Sequence, residues 1–363
     1  MNEFSPESPG WERVDGLMEW AARSGVFPGA VLATGPAGQI RFRKAVGIAD
    51  CRDGRPVEWD TVFDLASLTK PLATALAFLK LWGSGRLHPE DRLARWLPET
   101  AAMRKGQIRL FELLDHTGGF PAHRPFYRKL RGLPPLRRKA ALRQWLTRVP
   151  LERPPGRKTL YSDLGFMVLE WALERAGGEP FHSRVVEEIY RPLGLGLHFP
   201  LLRPDPDLRY AATERCGWRN RMLKGEAHDE NAHVCGGVSG HAGLFGTAED
   251  VFRLLSRLFE AFRGKGQTFF GPAANVRRLL TLTGPGRRTM GFDVPGGPRP
   301  SCGDRFSRRT VGHLGFTGTS FWMDQEADRI VVLLSNRVHP SRWNQRIRRF
   351  RPVLHDAVRS AGG

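Results

Sequence analysis

Cysteine is scarce in this chain. Its four, Cys51, Cys216, Cys235 and Cys302, show no Cys-x-x-Cys spacing and are too sparse for a disulfide framework, which suits a reducing compartment. Long apolar runs are missing too. No window approaches the roughly eighteen consecutive apolar residues of a membrane-spanning helix, so no membrane span is expected. Residues 1–16 are polar and acidic where a secretory signal would carry a basic start and an apolar run, and cytoplasmic residence is the expectation. Lysine is rare, at nine of the 56 basic residues. The net charge of +19 is thus an arginine excess spread along the chain, and no helix-turn-helix, zinc-finger or RNA-binding signature accompanies it. A specific nucleic-acid partner is not expected. Fixed-period repeats and low-complexity tracts are also lacking.

What is present is a chain of 363 residues, 40% apolar, long enough for a large core in two packed units or one large domain. Trp11, Val14, Leu17, Met18 and Ala21 are apolar at helical spacing and predict an opening helix within residues 1–24. Residues 29–34 and 39–48 read as a β-hairpin around Gly-Pro-Ala-Gly. From about residue 87 to 282 the signals are mostly helical, over 108–114, 135–147, 164–176, 181–190 and 248–262. Residues 311–323 and 329–335 read as two strands split by Asp-Gln-Glu-Ala-Asp, and a basic helix over 342–358 closes the chain. Arg342, Arg346, Arg348, Arg349 and Arg351 look like one face of that helix. Strands at both ends and helices between them predict an α+β protein, one sheet built from both termini with a helical lobe inserted. The expected division is 1–86, with the nucleophile helix, then a mainly helical lobe 87–283, a linker 284–310 rich in Pro, Gly and Arg, and 311–363 completing the sheet.

The stretch from Asp64 to Trp82 reads Asp-Leu-Ala-Ser-Leu-Thr-Lys and continues as an apolar helix. Lys70 follows Ser67 by three places, so on a helical turn hydroxyl and amine share a face. A serine hydroxyl needs a base, and a lysine serves if burial and the helix N-terminus depress its pKa. Pro71 is tolerated in a first turn, where backbone N–H groups are free to face an oxyanion. In a second stretch, Tyr161-Ser162-Asp163, either Ser162 or Asp163 can cap the following helix and leave Tyr161 on the turn before it. A tyrosine beside an ammonium can pass a proton in both directions. The third stretch, Gly312-His313-Leu314-Gly315-Phe316-Thr317-Gly318, is glycine-rich and β-prone, as an edge strand beside a substrate would be.

Ser67-Leu68-Thr69-Lys70, Tyr161-Ser162-Asp163 and His313-Leu314-Gly315, in that order, resemble the serine β-lactamase-related family. That group comprises class C β-lactamases, D-alanyl-D-alanine carboxypeptidases and β-lactamase-like esterases. Residues 63–66, 113–121 and 243–250 are similar to further family stretches, and the resemblance covers roughly residues 29–337. It implies a β-lactamase/transpeptidase-like fold and a serine hydrolase that needs no cofactor or metal and acts on a small ester or amide. Carried over, Ser67 is the acylated nucleophile, Lys70 its activating amine and Tyr161 the partner base or shuttle. The N–H groups of Ser67 and of Phe316, one place after Gly315, form the oxyanion hole.

Two residues depart from the family's β-lactamases, which carry lysine where His313 stands and asparagine where Asp163 stands. A largely neutral imidazole recognises a carboxylate weakly, and a carboxylate cannot donate to a substrate carbonyl as an amide can. Both changes resemble the esterase-like branch, with β-lactamase or D,D-peptidase activity as the alternative. Phe316-Thr317-Gly318 is a second possible register for the third motif; His313-Leu314-Gly315 leaves an ionisable residue facing the cleft. His228 and Asp229, in the polar run 226–233, line the pocket in this reading. His228 and His233 stand five apart, off the spacing of a helical zinc pair, so a metal site is not expected. Ser239 lacks the second glycine of a Gly-x-Ser-x-Gly elbow and is set aside as a rival nucleophile. The rival function is a scaffold retained as a binding or sensor module, against which the intact Ser67, Lys70 and Tyr161 argue. Oligomeric state is not legible.

Overall fold

A six-stranded antiparallel sheet between helical layers forms the frame of the computed structural model, which describes residues 9–281 and 288–362. The first eight residues of the expected opening helix, and 284–287 of the expected linker, lie outside the described residues. The strands are β1 (Gly29–Gly35), β2 (Phe42–Asp50), β3 (Arg55–Pro56), β4 (Thr310–Leu314), β5 (Ser320–Asp324) and β6 (Arg329–Ser335). Their spatial order is β4-β5-β6-β1-β2-β3, so the two ends of the chain meet where Val31 pairs with Leu334. The helices that position the site are α1 (Pro9–Arg23), α2 (Leu76–Gly83), α3 (Asp163–Gly177), α4 (Ala248–Arg263) and α5 (Ile347–Ala361).

Every residue of β1 and β6 is buried, the pattern of strands covered on both faces. Successive side chains point to opposite faces and so enter different cores. Val31, Ala33, Ile330, Val332 and Leu334 join the larger core, with Leu254 and Leu258 of α4 and most of α2 and α3. Ala30, Leu32, Val331 and Leu333 join the smaller one, closed by Val14 and Met18 of α1 and Phe350 and Leu354 of α5. At about 25 cal/mol per Å² of apolar surface, two-sided burial makes these central strands the most expensive place in the sheet to insert a polar side chain. Among the described residues no helix is long and apolar enough to cross a membrane.

Three local expectations are corrected. Residues 311–323 are not one strand but a hairpin, β4 and β5, because Gly318 turns the chain at φ +106 and Gly315 N–H closes onto Thr319 O at 2.7 Å. The last helix starts at Ile347 rather than Arg342, and its arginines do not share a face. Arg342 lies before it and pairs with Glu214 and Glu230, while Arg351 is buried and donates to Gly318 O. The Ser67 segment is not one continuous α-helix either. A tight turn over Ala66–Leu68 gives way to a wide i→i+5 turn over Lys70–Ala75 before α2 begins. Pro71 lacks an N–H and its ring crowds the carbonyl one turn back, so the regular α ladder cannot run through it.

Candidate active site

Asp64 builds the turn that carries Ser67. Its carboxylate accepts from Ala66 N–H at 2.8 Å and His228 N–H at 2.7 Å, drawing two distant segments together. Ala66 is held at φ +47, a left-handed conformation costly for a residue with a Cβ, directly before the serine. The β4–β5 hairpin clamps the turn from outside, because Thr317 donates to Asp64 O at 2.7 Å and Thr319 to Leu65 O at 3.1 Å. Gly315 is required there: a Cβ would lie 2.7 Å from Leu65 O and 2.0 Å from Thr319 Oγ1.

Lys70 has no solvent exposure, and its ammonium reaches Ser67 Oγ at 3.1 Å, Asp163 Oδ1 at 2.8 Å and His241 O at 3.3 Å. Burial works to discharge it. The negative charge of Asp163, with Tyr161 beside it, outweighs that effect and raises its pKa above the ordinary lysine value. The expected depressed lysine is therefore corrected: a buried ion pair holds the proton on Lys70. Asp163 mirrors this. Burial opposes its charge, yet Lys70, His123 and His241 hold its pKa well below the usual carboxylate range.

Asp163 is the first residue of α3, capped by Ser162, whose hydroxyl accepts from Gly165 N–H at 3.1 Å and donates to Pro121 O at 2.6 Å. That cap leaves Tyr161 at the mouth of the helix, within reach of both Ser67 and Lys70. The Lys70 ammonium lies 4.8 Å from the Tyr161 ring centre. Burial raises the phenol's pKa and Asp163 adds to it, while Lys70 and Ser67 pull it down. His116 packs on the ring at 4.5 Å, His313 at 5.9 Å, and the Arg288 guanidinium stands 5.9 Å from it.

His313, on edge strand β4, bonds through Nδ1 to Leu314 O at 2.9 Å, which leaves Nε2 without a partner among the described residues. Burial, with Lys70 and Arg288 nearby, pushes its pKa down to about 4, so the ring is neutral. Phe316 is 47% exposed and stacks on His228, with the Arg337 guanidinium 4.8 Å from its centre. Of the polar run, His228 is buried and bonds Glu214 at 3.0 Å, while half-buried Asp229 bonds His241 at 3.0 Å. His228 approaches the predicted lining through Phe316, and Asp229 through His241, whose carbonyl accepts from Lys70. His233 pairs with a different carboxylate, Glu226, so the run does not converge on one centre. Ser239 is buried and bonded to Glu170 and His241.

Sequence reasoning missed His116, His123, His241 and Arg288. His116 lies inside the 113–121 stretch already singled out, and His241 next to Ser239 and Gly240; His123 and Arg288 carried no motif. A cleft of about 1200 Å³ lined by Lys139, Arg143 and Trp171 holds none of the predicted residues.

A family model described as Beta-lactamase matches residues 12–352. The chain is 35% identical to a putative D-alanyl-D-alanine carboxypeptidase of Escherichia coli (strain K12), over 93% of this chain and 86% of that one. It is 32% identical to an N-acetylmuramyl-L-alanine amidase of Bacillus subtilis (strain 168), over 90% and 81%. Among solved structures, EstCE1, a hydrolase with promiscuous acyltransferase activity, matches with a TM-score of 0.75 at 23% identity, over 96% of this chain and 98% of that one. The octameric penicillin-binding protein homologue from Pyrococcus abyssi matches at 0.69 and 19% identity, over 90% and 73%. A sheet built from both termini, a helical lobe between them and a near full-length family match lead to one conclusion: this chain belongs to the β-lactamase family of serine hydrolases.

Proposed function

We propose that Ser67 is acylated by a small ester or amide and that water then releases the acid. The observation that carries this is the Lys70 ammonium, shared between Ser67 Oγ at 3.1 Å and Asp163 Oδ1 at 2.8 Å beside Tyr161. In the resting enzyme Lys70 is an ammonium and Tyr161 a phenol, so neither is yet a base. The two act as one titrating unit that must first lose a proton, and assigning the loss to either is a microstate choice. The deprotonated pair takes the Ser67 proton as Oγ attacks the carbonyl carbon, then returns it to the leaving group as the acyl-enzyme forms. The Ser67 and Phe316 N–H groups receive the oxyanion in this reading, and Phe316 N–H has no backbone acceptor among the described residues. Water repeats the steps in reverse order.

Neutral His313 supports an uncharged ester or amide, since it offers a carboxylate no counter-charge at neutral pH. A second reading, removal of a terminal D-alanine, is supported by the name of the 35% identical relative and by the Arg288 guanidinium beside Tyr161. Intact mass after exposure to a fluorophosphonate tests the first step, with a single adduct expected on wild type and none on Ser67→Ala. Turnover of a short-chain activated ester against a peptide ending in D-alanyl-D-alanine separates the substrate readings. Wild type without an adduct overturns both.

A further inference from the structure

Asp163 has two oxygens and two basic neighbours. Oδ1 meets the Lys70 ammonium at 2.8 Å; Oδ2 meets His123 Nδ1 at 3.6 Å. The two bases differ in setting. Lys70 is sealed from solvent, whereas the His123 side chain is 45% exposed and free to take a proton from water. We propose that His123 is a positioning residue for the acylation step: its imidazolium, by drawing on Oδ2, weakens the hold of Asp163 on the Lys70 proton. This rests on the reading of Ser67 as nucleophile and Lys70 with Tyr161 as its base.

The physical argument is competition for one counter-charge. With His123 neutral, the whole carboxylate charge faces Lys70, and the base stays protonated. With His123 charged, the carboxylate is shared and the positive charges repel across it, so the Lys70 and Tyr161 unit loses a proton more readily. No bond is made or broken in the effect. Other charged groups leave the competition intact. His123 also feels the Asp229 and Glu230 carboxylates, which favour its charged form, while neighbouring Arg124 is paired with Glu152. Asp163 additionally feels His241; Lys70 and Arg288 act together on buried His116 and His313, which stay neutral. The close Asp163 carboxylate raises the His123 pKa against the opposing effect of burial, so its charge persists to higher pH than an ordinary imidazole's.

The test is the second-order rate of fluorophosphonate labelling across pH for wild type, His123→Gln and His123→Lys. Glutamine keeps a donor but never charges. Expected is a loss of about tenfold in His123→Gln at about pH 6, the effect of one pKa unit on the base, closing as pH rises to about 9, where His123 is neutral in wild type as well. His123→Lys stays charged and labels faster than His123→Gln at both ends. In an Asp163→Asn background the His123 substitutions become silent. A loss of equal size at every pH, or no loss, overturns the proposal, as does His123→Lys behaving like His123→Gln. Should His123→Gln fail to fold, the lysine variant against wild type decides, since only it labels faster at about pH 9. Wild type that takes no label at Ser67 at any pH refutes instead the reading of the nucleophile.

Discussion

Two carboxylates of helix α3 stand seven residues apart, each paired with a lysine. Asp163 binds Lys70 at 2.8 Å, and Glu170 binds Lys139 at 2.6 Å. Both lysines have raised pKa values for the same reason, burial outweighed by neighbouring carboxylates. Their surroundings divide them. Lys70 is wholly buried between a serine hydroxyl and a phenol, while Lys139 is 34% exposed, beside a second acid, Glu174. The lesson is that an ion pair alone is not a site. What separates the two is the set of groups sharing the cation and the lack of water to replace them. The pairs are linked nonetheless: Glu170 accepts from Gly240 N–H at 2.9 Å, holding the loop whose His241 carbonyl accepts from Lys70.

The largest expected effect breaks the Lys70 end. Lys70→Ala lowers ester kcat/KM by roughly a thousandfold or more, while Lys139→Ala stays within about twofold of wild type. Comparable losses in both would erase the distinction. Asp163→Asn comes next. Without the carboxylate, burial dominates at Lys70 and its pKa falls, so the rising limb of the pH–kcat/KM profile moves to lower pH. Leaving a buried cation unpaired also destabilises the fold by about 3 kcal/mol in denaturant titrations at neutral pH.

The pH dependence of stability sharpens the same contrast. Asp163 has a folded pKa depressed below its unfolded value, so its contribution is complete above the unfolded value of about 4 and is lost as pH falls toward the folded one. Asp163→Asn should therefore cost less stability in acid than at neutral pH, and a cost independent of pH would contradict the pairing. Glu170→Gln keeps an acceptor for Gly240 N–H, so the His241 carbonyl stays in place and kcat holds, while the weakened pairing with Lys139 costs about 1 kcal/mol.

Much of the fold was legible because its signals are local and repeated. Residues 29–34 and 329–335 show strand patterning, and they are the two central strands. The 311–323 stretch misled because strand and turn residues run together: Phe316, Thr317 and Thr319 are β-prone, yet the positive φ of Gly318 bends them into a hairpin. The basic stretch misled in another way. Arginine spacing reports a face only if every position is helical and exposed; Arg342 and Arg346 precede the helix, and Arg351 is buried within it.

By itself the sequence determined which residues stand together on the Ser67 turn and the identity of the family. Both depend on residues close in the chain, Ser67 with Lys70 and Tyr161 with its helix cap, whose spacing survives whatever surrounds them. Only the tertiary structure decided the charge on Lys70. That charge depends on Asp163, 93 positions away, on His123 at its other oxygen, and on burial that seals the ammonium from water. Electrostatic energy follows distance and dielectric, neither of which is written in the order of residues.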